Sequence, residues 1–241
     1  MTFATKRQAL ITGASSGIGK ATALAFAKAG IDLALVSRSE EKLAAVASAA
    51  QQTGVRAKVY PVDLAEVNHV QEQVEAIAAD FGSIDILVNN AGMGYTNALS
   101  ETSLSDWLQV MNLNLTSVFQ CILGILPMMR DRGRGTIINV ASIAAQQPFP
   151  NWGAYSVSKA GLIALSKTLA AEERANGIRV TAICPGAVDT ELWNSETVNF
   201  NFDRSAMLTP EMVAQSILYT ISLPEQAVVE ELTLMPSAGT L

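Results

Sequence analysis

The chain has 241 residues, of which 49% are hydrophobic and only 16% charged, with a net charge of −6 and an isoelectric point near 4.9. Length and apolar content suit one α/β domain with a full core, and so little charge implies that some surface is hidden against copies of the same chain. The acidic balance argues against a nucleic-acid or anionic-membrane partner, because the densest basic stretch, Arg130-Asp131-Arg132-Gly133-Arg134, is broken by an acid and reads as a helix end.

Metal and thiol chemistry are also disfavoured. Cys121 and Cys184 stand far apart with no metal-ligand spacing around them and read as buried free thiols of a reducing compartment. His69 is the single histidine and falls in a polar helical stretch, which leaves neither a zinc site nor a Ser-His-Asp triad. There is no apolar leader core, and no run reaches the ~18 apolar residues of a membrane helix. The expected compartment is the cytoplasm.

Along the chain, short apolar runs alternate with helical patterns. Residues 8–12, 32–37, 58–62, 84–89, 136–140, 179–183 and 232–235 read as strands. Helices are expected to start at Gly17, Glu40, Val67, Ser105, Trp152 and Pro210, with the fourth running from Ser105 to Arg130. Gly30, Gly54, Gly82 and Gly177 sit where helices should stop. The strands show little strict alternation, as parallel strands covered on both faces should. The expected architecture is a doubly wound parallel sheet with helices on both faces, in a single domain over residues 1–241. Residues 191–207, rich in Asn, Ser and Phe, are the least regular part and suit a mobile flap.

Thr12-Gly13-Ala14-Ser15-Ser16-Gly17-Ile18-Gly19 follows the first strand and opens the first helix. Glycines here let the backbone approach a pyrophosphate, and the helix N-terminus supplies donors and a positive dipole end. The spacing differs from the commoner Gly-x-Gly-x-x-Gly fingerprint, and glycine clusters also make plain turns. At the end of the second strand, where an NAD site carries an acid for the ribose hydroxyls, stand Ser37 and Arg38. A carboxylate would repel a 2′-phosphate and an arginine attracts it, so these two residues favour NADP(H). Asp63-Leu64 after the third strand can meet the adenine amino group. Asn89-Asn90-Ala91-Gly92 after the fourth can line the cofactor, and either stretch can also be turn chemistry alone.

Tyr155 and Lys159 lie four apart in a helical segment and share a face. An ammonium beside a phenol lowers its pKa from near 10, typically by ~1–3 units, toward the operating range of a general acid/base. Ser142, just past a strand end, can hold a substrate oxygen. A Tyr-x-x-x-Lys pair alone is a weak sign, but the order of motifs is specific. With the glycine motif, Asn-Asn-Ala-Gly, Ser142, Tyr155/Lys159 and Pro185-Gly186 in sequence, the chain resembles the short-chain dehydrogenase/reductase family over essentially its whole length.

That resemblance implies roles. Tyr155 would exchange the proton with the reacting oxygen, Lys159 would lower the Tyr155 pKa and bind the nicotinamide ribose, and Ser142 would orient the substrate oxygen. Asn114, within Asn114-Leu115-Thr116-Ser117-Val118-Phe119, matches the family asparagine that holds a relay water. Asn112 is a nearby decoy. Gly13, Ser15, Ser16, Gly17, Ile18, Gly19, Asp63, Leu64, Asn89, Ala91 and Gly92 would hold the cofactor. Ser37 with Arg38 resembles the NADP-preferring branch. Pro185, Gly186, Val188 and Thr190 resemble the segment that holds the nicotinamide carboxamide. The family fold is a single Rossmann-like domain with a seven-stranded parallel sheet. The tail Leu234-Met235-Pro236-Ser237-Ala238-Gly239 departs from the family's frequent Asp-Gly-Gly turn and leaves the rear of the pocket open to question.

Candidate pocket residues are Met93, Tyr95, Ala144, Gln146, Phe149, Trp152, Leu192 and Trp193, with Trp193 the expected closing residue. They offer no arginine clamp for a carboxylate, which points to a neutral or partly apolar ketone and its secondary alcohol. The helix carrying Tyr155 reads as apolar nearly all round, through Val157, Ala160, Leu162, Ile163, Ala164 and Leu165, so one side should meet a second subunit, and the resemblance to a family that commonly pairs these helices in dimers and tetramers implies a homotetramer. Three other readings compete. A 3-oxoacyl-thioester reductase should carry basic residues at the mouth for an acidic carrier protein, and the flap offers only Arg204. A non-catalytic NADP(H) sensor would not need the Ser-Tyr-Lys-Asn set. An enoyl reductase would space Tyr and Lys by seven, where Leu162 stands.

Overall fold

A computed structural model describes residues 7–199 and 204–239. The apolar runs become strands β1 (Gln8–Thr12), β2 (Asp32–Ser37), β3 (Ala57–Pro61), β4 (Ile86–Asn89), β5 (Gly135–Val140), β6 (Ile178–Pro185) and β7 (Glu231–Leu234). All pair in parallel, in the order β3-β2-β1-β4-β5-β6-β7. The chain reverses its direction of travel between β1 and β4, and in open α/β sheets that switch point opens a crevice beyond the strand ends.

Helices α1 (Gly17–Lys28), α2 (Glu40–Gln51) and α7 (Pro210–Ser222) cover one face of the sheet, and α3 (Val67–Phe81), α5 (Ser117–Arg132) and α6 (Gly153–Glu173) the other. Phe26, Leu43, Val46, Val213 and Ile217 fill the first layer, and Val74, Phe81, Ile122, Ile125 and Leu162 the second, all buried. Strands buried on both faces need no polar alternation, and β2 (DLALVS) is buried at every position. Its one acid, Asp32, accepts from the Arg56 backbone N–H at 2.8 Å.

Boundaries differ from the sequence reading where neighbouring segments decide them. β4 begins at Ile86 rather than at 84, because the Ile84 N–H points to the Met128 sulfur (3.3 Å) instead of a strand. β6 runs on to Pro185, since β7 pairs with it as far as Leu234. The expected single helix from Ser105 is α4 (Leu104–Met111), one wide π turn over Asn112–Thr116, and then α5. Such turns interrupt helices where a side chain or backbone group is needed elsewhere.

Taken together, the helical run Leu104–Arg132 is long and apolar enough by length and composition to cross a membrane, contrary to the sequence reading. Half of its most apolar window is buried inside the fold, and α5 packs against both α3 and the sheet, as a core helix does. Cys121 and Cys184 are free and buried, and His69 is exposed on α3. Among the described residues no group of three or more His, Cys, Asp or Glu could hold a metal.

Candidate active site

A cavity of about 720 Å³ opens at the carboxyl ends of β1, β2, β4, β5 and β6, within the range of ligand pockets. Its floor is the loop from β1 to α1. Gly13 has φ +64, a backbone conformation that side chains rarely adopt, and a Cβ there would lie 2.8 Å from the Asn90 amide nitrogen. Gly19 does not line the cavity; a Cβ on it would strike the Gly13 carbonyl oxygen, so its absence lets α1 close onto the loop. Ser15, Ser16, Gly17 and Ile18 line the floor.

Asn90, which the sequence reading passed over for Asn89, braces this loop. Its Nδ2 donates to the carbonyls of Thr12 (3.1 Å) and Gly13 (3.2 Å), and its own N–H donates to Thr12 Oγ1 (2.9 Å). Asn89 instead points into the sheet, donating to Asn139 Oδ1 at 2.9 Å, and lies outside the lining. The signal in the sequence was the Asn-Asn pair itself. Consecutive residues at a strand end face opposite ways, so one of the two must turn from core to cleft.

Ser37, Arg38, Asp63, Leu64, Ala91, Gly92, Pro185, Gly186, Val188 and Thr190 all line the cavity. Arg38 is exposed and makes no hydrogen bond or ion pair among the described residues. Lys42 and Glu191, not singled out from the sequence, also line it, and they pair with each other at 3.3 Å.

At the inner end stand Ser142, Tyr155 and Lys159. Ser142 Oγ accepts from the Ala144 N–H at 3.1 Å and hydrogen-bonds Tyr155. Lys159 is buried; its Nζ donates to the Val140 carbonyl at 2.9 Å and lies 5.8 Å from the Tyr155 ring centroid. Burial pushes the Tyr155 pKa up, with the Ser142 hydrogen bond pulling against it. The downward pull expected from Lys159 is not what dominates. The ammonium is itself desolvated, and burial brings the Lys159 pKa down to about 8.

Asn114 sits in the π turn, fully buried, behind the cavity wall rather than in it. Its Nδ2 donates to the Met93 carbonyl (2.9 Å) and to Ser158 Oγ (3.1 Å), and its Oδ1 accepts from the Met93 N–H (2.8 Å). The side chain therefore clamps the segment after Gly92 to α6.

Of the pocket residues, Met93, Ala144, Phe149, Trp152, Leu192 and Trp193 line the cavity. Tyr95 does not. It packs with Val110 and Ala154, and its hydroxyl lies 3.1 Å from Asp106. Gln146 does not either; its amide turns outward to Glu231 and Thr233 at the sheet edge. Trp152 stacks edge-on with both Tyr155 (centroids 5.3 Å apart) and Trp193 (5.8 Å), forming one aromatic wall. Trp193 Nε1 donates to the Val188 carbonyl at 2.8 Å, which fixes the near part of the flap, while residues 200–203 of that flap lie outside the described residues. Met235 completes the rear wall, packed over Gly186, and this is how the divergent tail meets the pocket.

A family model described as short chain dehydrogenase matches residues 7–199. The chain is 35% identical to a 3-oxoacyl-[acyl-carrier-protein] reductase of Synechocystis sp., over 99% of this chain and 98% of that one. Among solved structures it is similar to an alcohol dehydrogenase of the archaeon Thermococcus sibiricus complexed with 5-hydroxy-NADP, with TM-score 0.89 and 30% identity over 98% of this chain and 99% of that one. It is also similar to a tryptophan variant of actinorhodin polyketide ketoreductase with NADPH, with TM-score 0.88 and 31% identity over the whole of both chains.

Proposed function

The chain belongs to the short-chain dehydrogenase family, and from that premise we propose that it is an NADP(H)-dependent oxidoreductase interconverting a ketone and a secondary alcohol, with Tyr155 as general acid/base. The observation that carries this reading is the convergence of Ser142, Tyr155 and Lys159 at the inner end of one cavity whose outer end presents Arg38.

The residues present fit the cofactor. Gly13 and Gly17, both at positive φ, leave the loop open to a pyrophosphate, and Arg38 has its guanidinium free for a 2′-phosphate. Asp63 would meet the adenine, Val188 and Thr190 the carboxamide. The chemistry a bound nicotinamide supplies is hydride donation or acceptance at the substrate carbon. The chain's own groups handle the oxygen. Ser142 holds it by hydrogen bond. Tyr155, kept protonated at neutral pH by burial, donates to it in the reducing direction. Lys159, charged below about pH 8, favours the phenolate left behind. Asn114 acts through Met93 and Ser158, holding the wall beside Gly92 and α6 in register.

The charged residues lining the cavity are Arg38, Lys42, Asp63, Lys159 and Glu191, none of which is a clamp among the aromatic residues of the substrate end. A neutral, partly apolar ketone suits such a wall. The similarity to the acyl-carrier reductase favours a 3-oxoacyl thioester as the second reading. Against it, Arg204 is already committed to Asp189 (2.6 Å), Asn194 (2.9 Å) and the Thr190 carbonyl (2.9 Å), leaving the flap no spare cation for an acidic partner. The test is NADPH consumption over ketones, keto esters, diketones and 3-oxoacyl thioesters, with Tyr155→Phe as blank. Turnover of one class by the wild type alone supports the reading. NADPH binding with no turnover of any class favours a sensor.

Trp193 closes the substrate end in this reading. Its replacement by Ala should raise KM several-fold or more and leave the NADPH Kd within about twofold, since burying an aromatic ring contributes roughly 1.5–3 kcal/mol to whatever it covers. An unchanged KM would count against Trp193 as a lid.

We also propose a homotetramer in the cytoplasm. α6 turns Leu162, Ser166 and Leu169 inward, and Val157, Ala160 and Ala164 outward, so its apolar residues do not all reach the core. Val157 (46% exposed), Leu104 (72%), Leu108 (47%) and Phe119 (41%) stand exposed on α4, α5 and α6, and Met212, Tyr219 and Val228 on α7 and beside β7. Exposed apolar side chains on both of these helix groups suit the two interfaces of a dihedral assembly. Light scattering at micromolar concentration should give four times the chain mass; a stable monomer would sink the idea.

A further inference from the structure

The ion pair between Lys42 and Glu191 spans the mouth of the cavity, and neither residue has a role in the reading above. Lys42 stands in the first turn of α2, four residues after Arg38, and its backbone N–H caps onto Ser39 Oγ at 3.4 Å. Glu191 opens the flap, next to Thr190, whose methyl group faces Gly17 on the cavity floor. Both side chains line the cavity, and both are more than half exposed. The first-turn acids Glu40 and Glu41 are exposed and point elsewhere, outside the lining. At the outer end, then, the charges that face inward are Arg38, Lys42, Asp63 and Glu191.

We propose that Lys42 is a specificity-determining residue for the cofactor, a second cation for the 2′-phosphate that changes partner from Glu191 to that phosphate on binding. The inference rests on the NADP(H) reading and deepens it. An exposed carboxylate–ammonium pair is weakly held, so exchange costs little. A phosphate near Arg38 carries more charge than Glu191 and offers several acceptor oxygens. Glu191 plays the opposite part. Next to a phosphate it is repelled unless Lys42 stands between, so it holds the lysine ready before binding and opposes the phosphate once the lysine has left it.

The test is a fluorescence titration of NADPH and NADH onto the wild type, Lys42→Met, Lys42→Arg and Glu191→Gln, with thermal melts as the folding control. A charged hydrogen bond at an open mouth sits between the buried and exposed limits, so Lys42→Met should weaken NADPH about five- to tenfold and leave NADH within twofold. Lys42→Arg should keep most of the NADPH affinity. Glu191→Gln should tighten NADPH about two- to threefold. The NADPH-to-NADH preference of the wild type should also shrink as salt rises, because the pair is not shielded from solvent. An equal loss of both cofactors in Lys42→Met overturns the proposal, placing the lysine on the shared pyrophosphate. An NADPH-to-NADH preference unchanged in Lys42→Met overturns it while leaving the NADP(H) reading intact. A wild type with no preference for NADPH overturns both.

Discussion

Replacing Tyr155 by Phe should reduce carbonyl turnover by about 10²–10⁴-fold, the span that a positioned proton donor contributes, while the NADPH Kd stays within about threefold. The substitution removes one hydroxyl. The ring remains, and with it the edge-on stack on Trp152 at 5.3 Å that fixes the aromatic wall. The phenol is desolvated and its pKa raised, so at neutral pH it carries the proton that reduction consumes. Loss of that proton leaves the substrate oxygen with Ser142 alone, a neutral hydroxyl that is already hydrogen-bonded to the Ala144 N–H. Single-turnover absorbance at the NADPH band, with Kd from titration, separates the two effects. A drop in kcat with unchanged Kd places Tyr155 at the chemistry. A parallel loss of affinity would make it a binding residue instead. The pH profile gives an independent check. Reduction by the wild type should fall above about pH 8, where Lys159 loses its charge and the phenolate is no longer stabilised.

The fold was legible because each rule for an α/β sheet applied locally. Strand positions followed from apolar runs, and Gly30, Gly54, Gly82 and Gly177 all take positive φ at helix ends. What the sequence hid were matters of direction. Asn89 and Asn90 are chemically identical, and only the strand pairing with β1 decides which one enters the cleft. Tyr95 and Gln146 are close in sequence to true lining residues, yet Asp106 and the β7 edge offer them better partners than the cavity does. The π turn at Asn114 has no periodic signature, because it exists to turn one amide inward against Met93 and Ser158. Lys42 escaped notice for the converse reason. A lysine in a helix's first turn reads as solvated surface, and its partner lies 149 positions along the chain.

Lys159 should then cost the protein stability, and Lys159→Met should be both inactive and harder to unfold. Lys159 is only 5% exposed; its ammonium donates to the Val140 carbonyl and, among the described residues, has no carboxylate paired with it. Burial lowers its pKa from 10.5 to about 8. The sign follows from proton counts. Between about pH 8 and 10.5 the unfolded chain holds the proton and the folded one has released it, so wild-type stability rises with pH across that window. Below about pH 8 both states are protonated and the full penalty is present. A shift of this size corresponds to roughly 3 kcal/mol, and losing the hydrogen bond to Val140 returns about 1 kcal/mol of it. The variant should therefore gain about 1–3 kcal/mol at pH 7, a rise in Tm of roughly 3–8 °C for a chain of this length. Its turnover should fall by about a hundredfold or more, since Tyr155 loses the neighbouring charge. Thermal melts at pH 7, 8, 9 and 10 decide the matter. The gain should be largest at pH 7 and fade toward pH 10. A variant less stable than wild type at pH 7, or a gain that does not change with pH, would mean that Lys159 holds the fold together through its contacts. The fading gain would instead mark a charge kept in the interior for the sake of the reaction, with the rest of the fold carrying the strain.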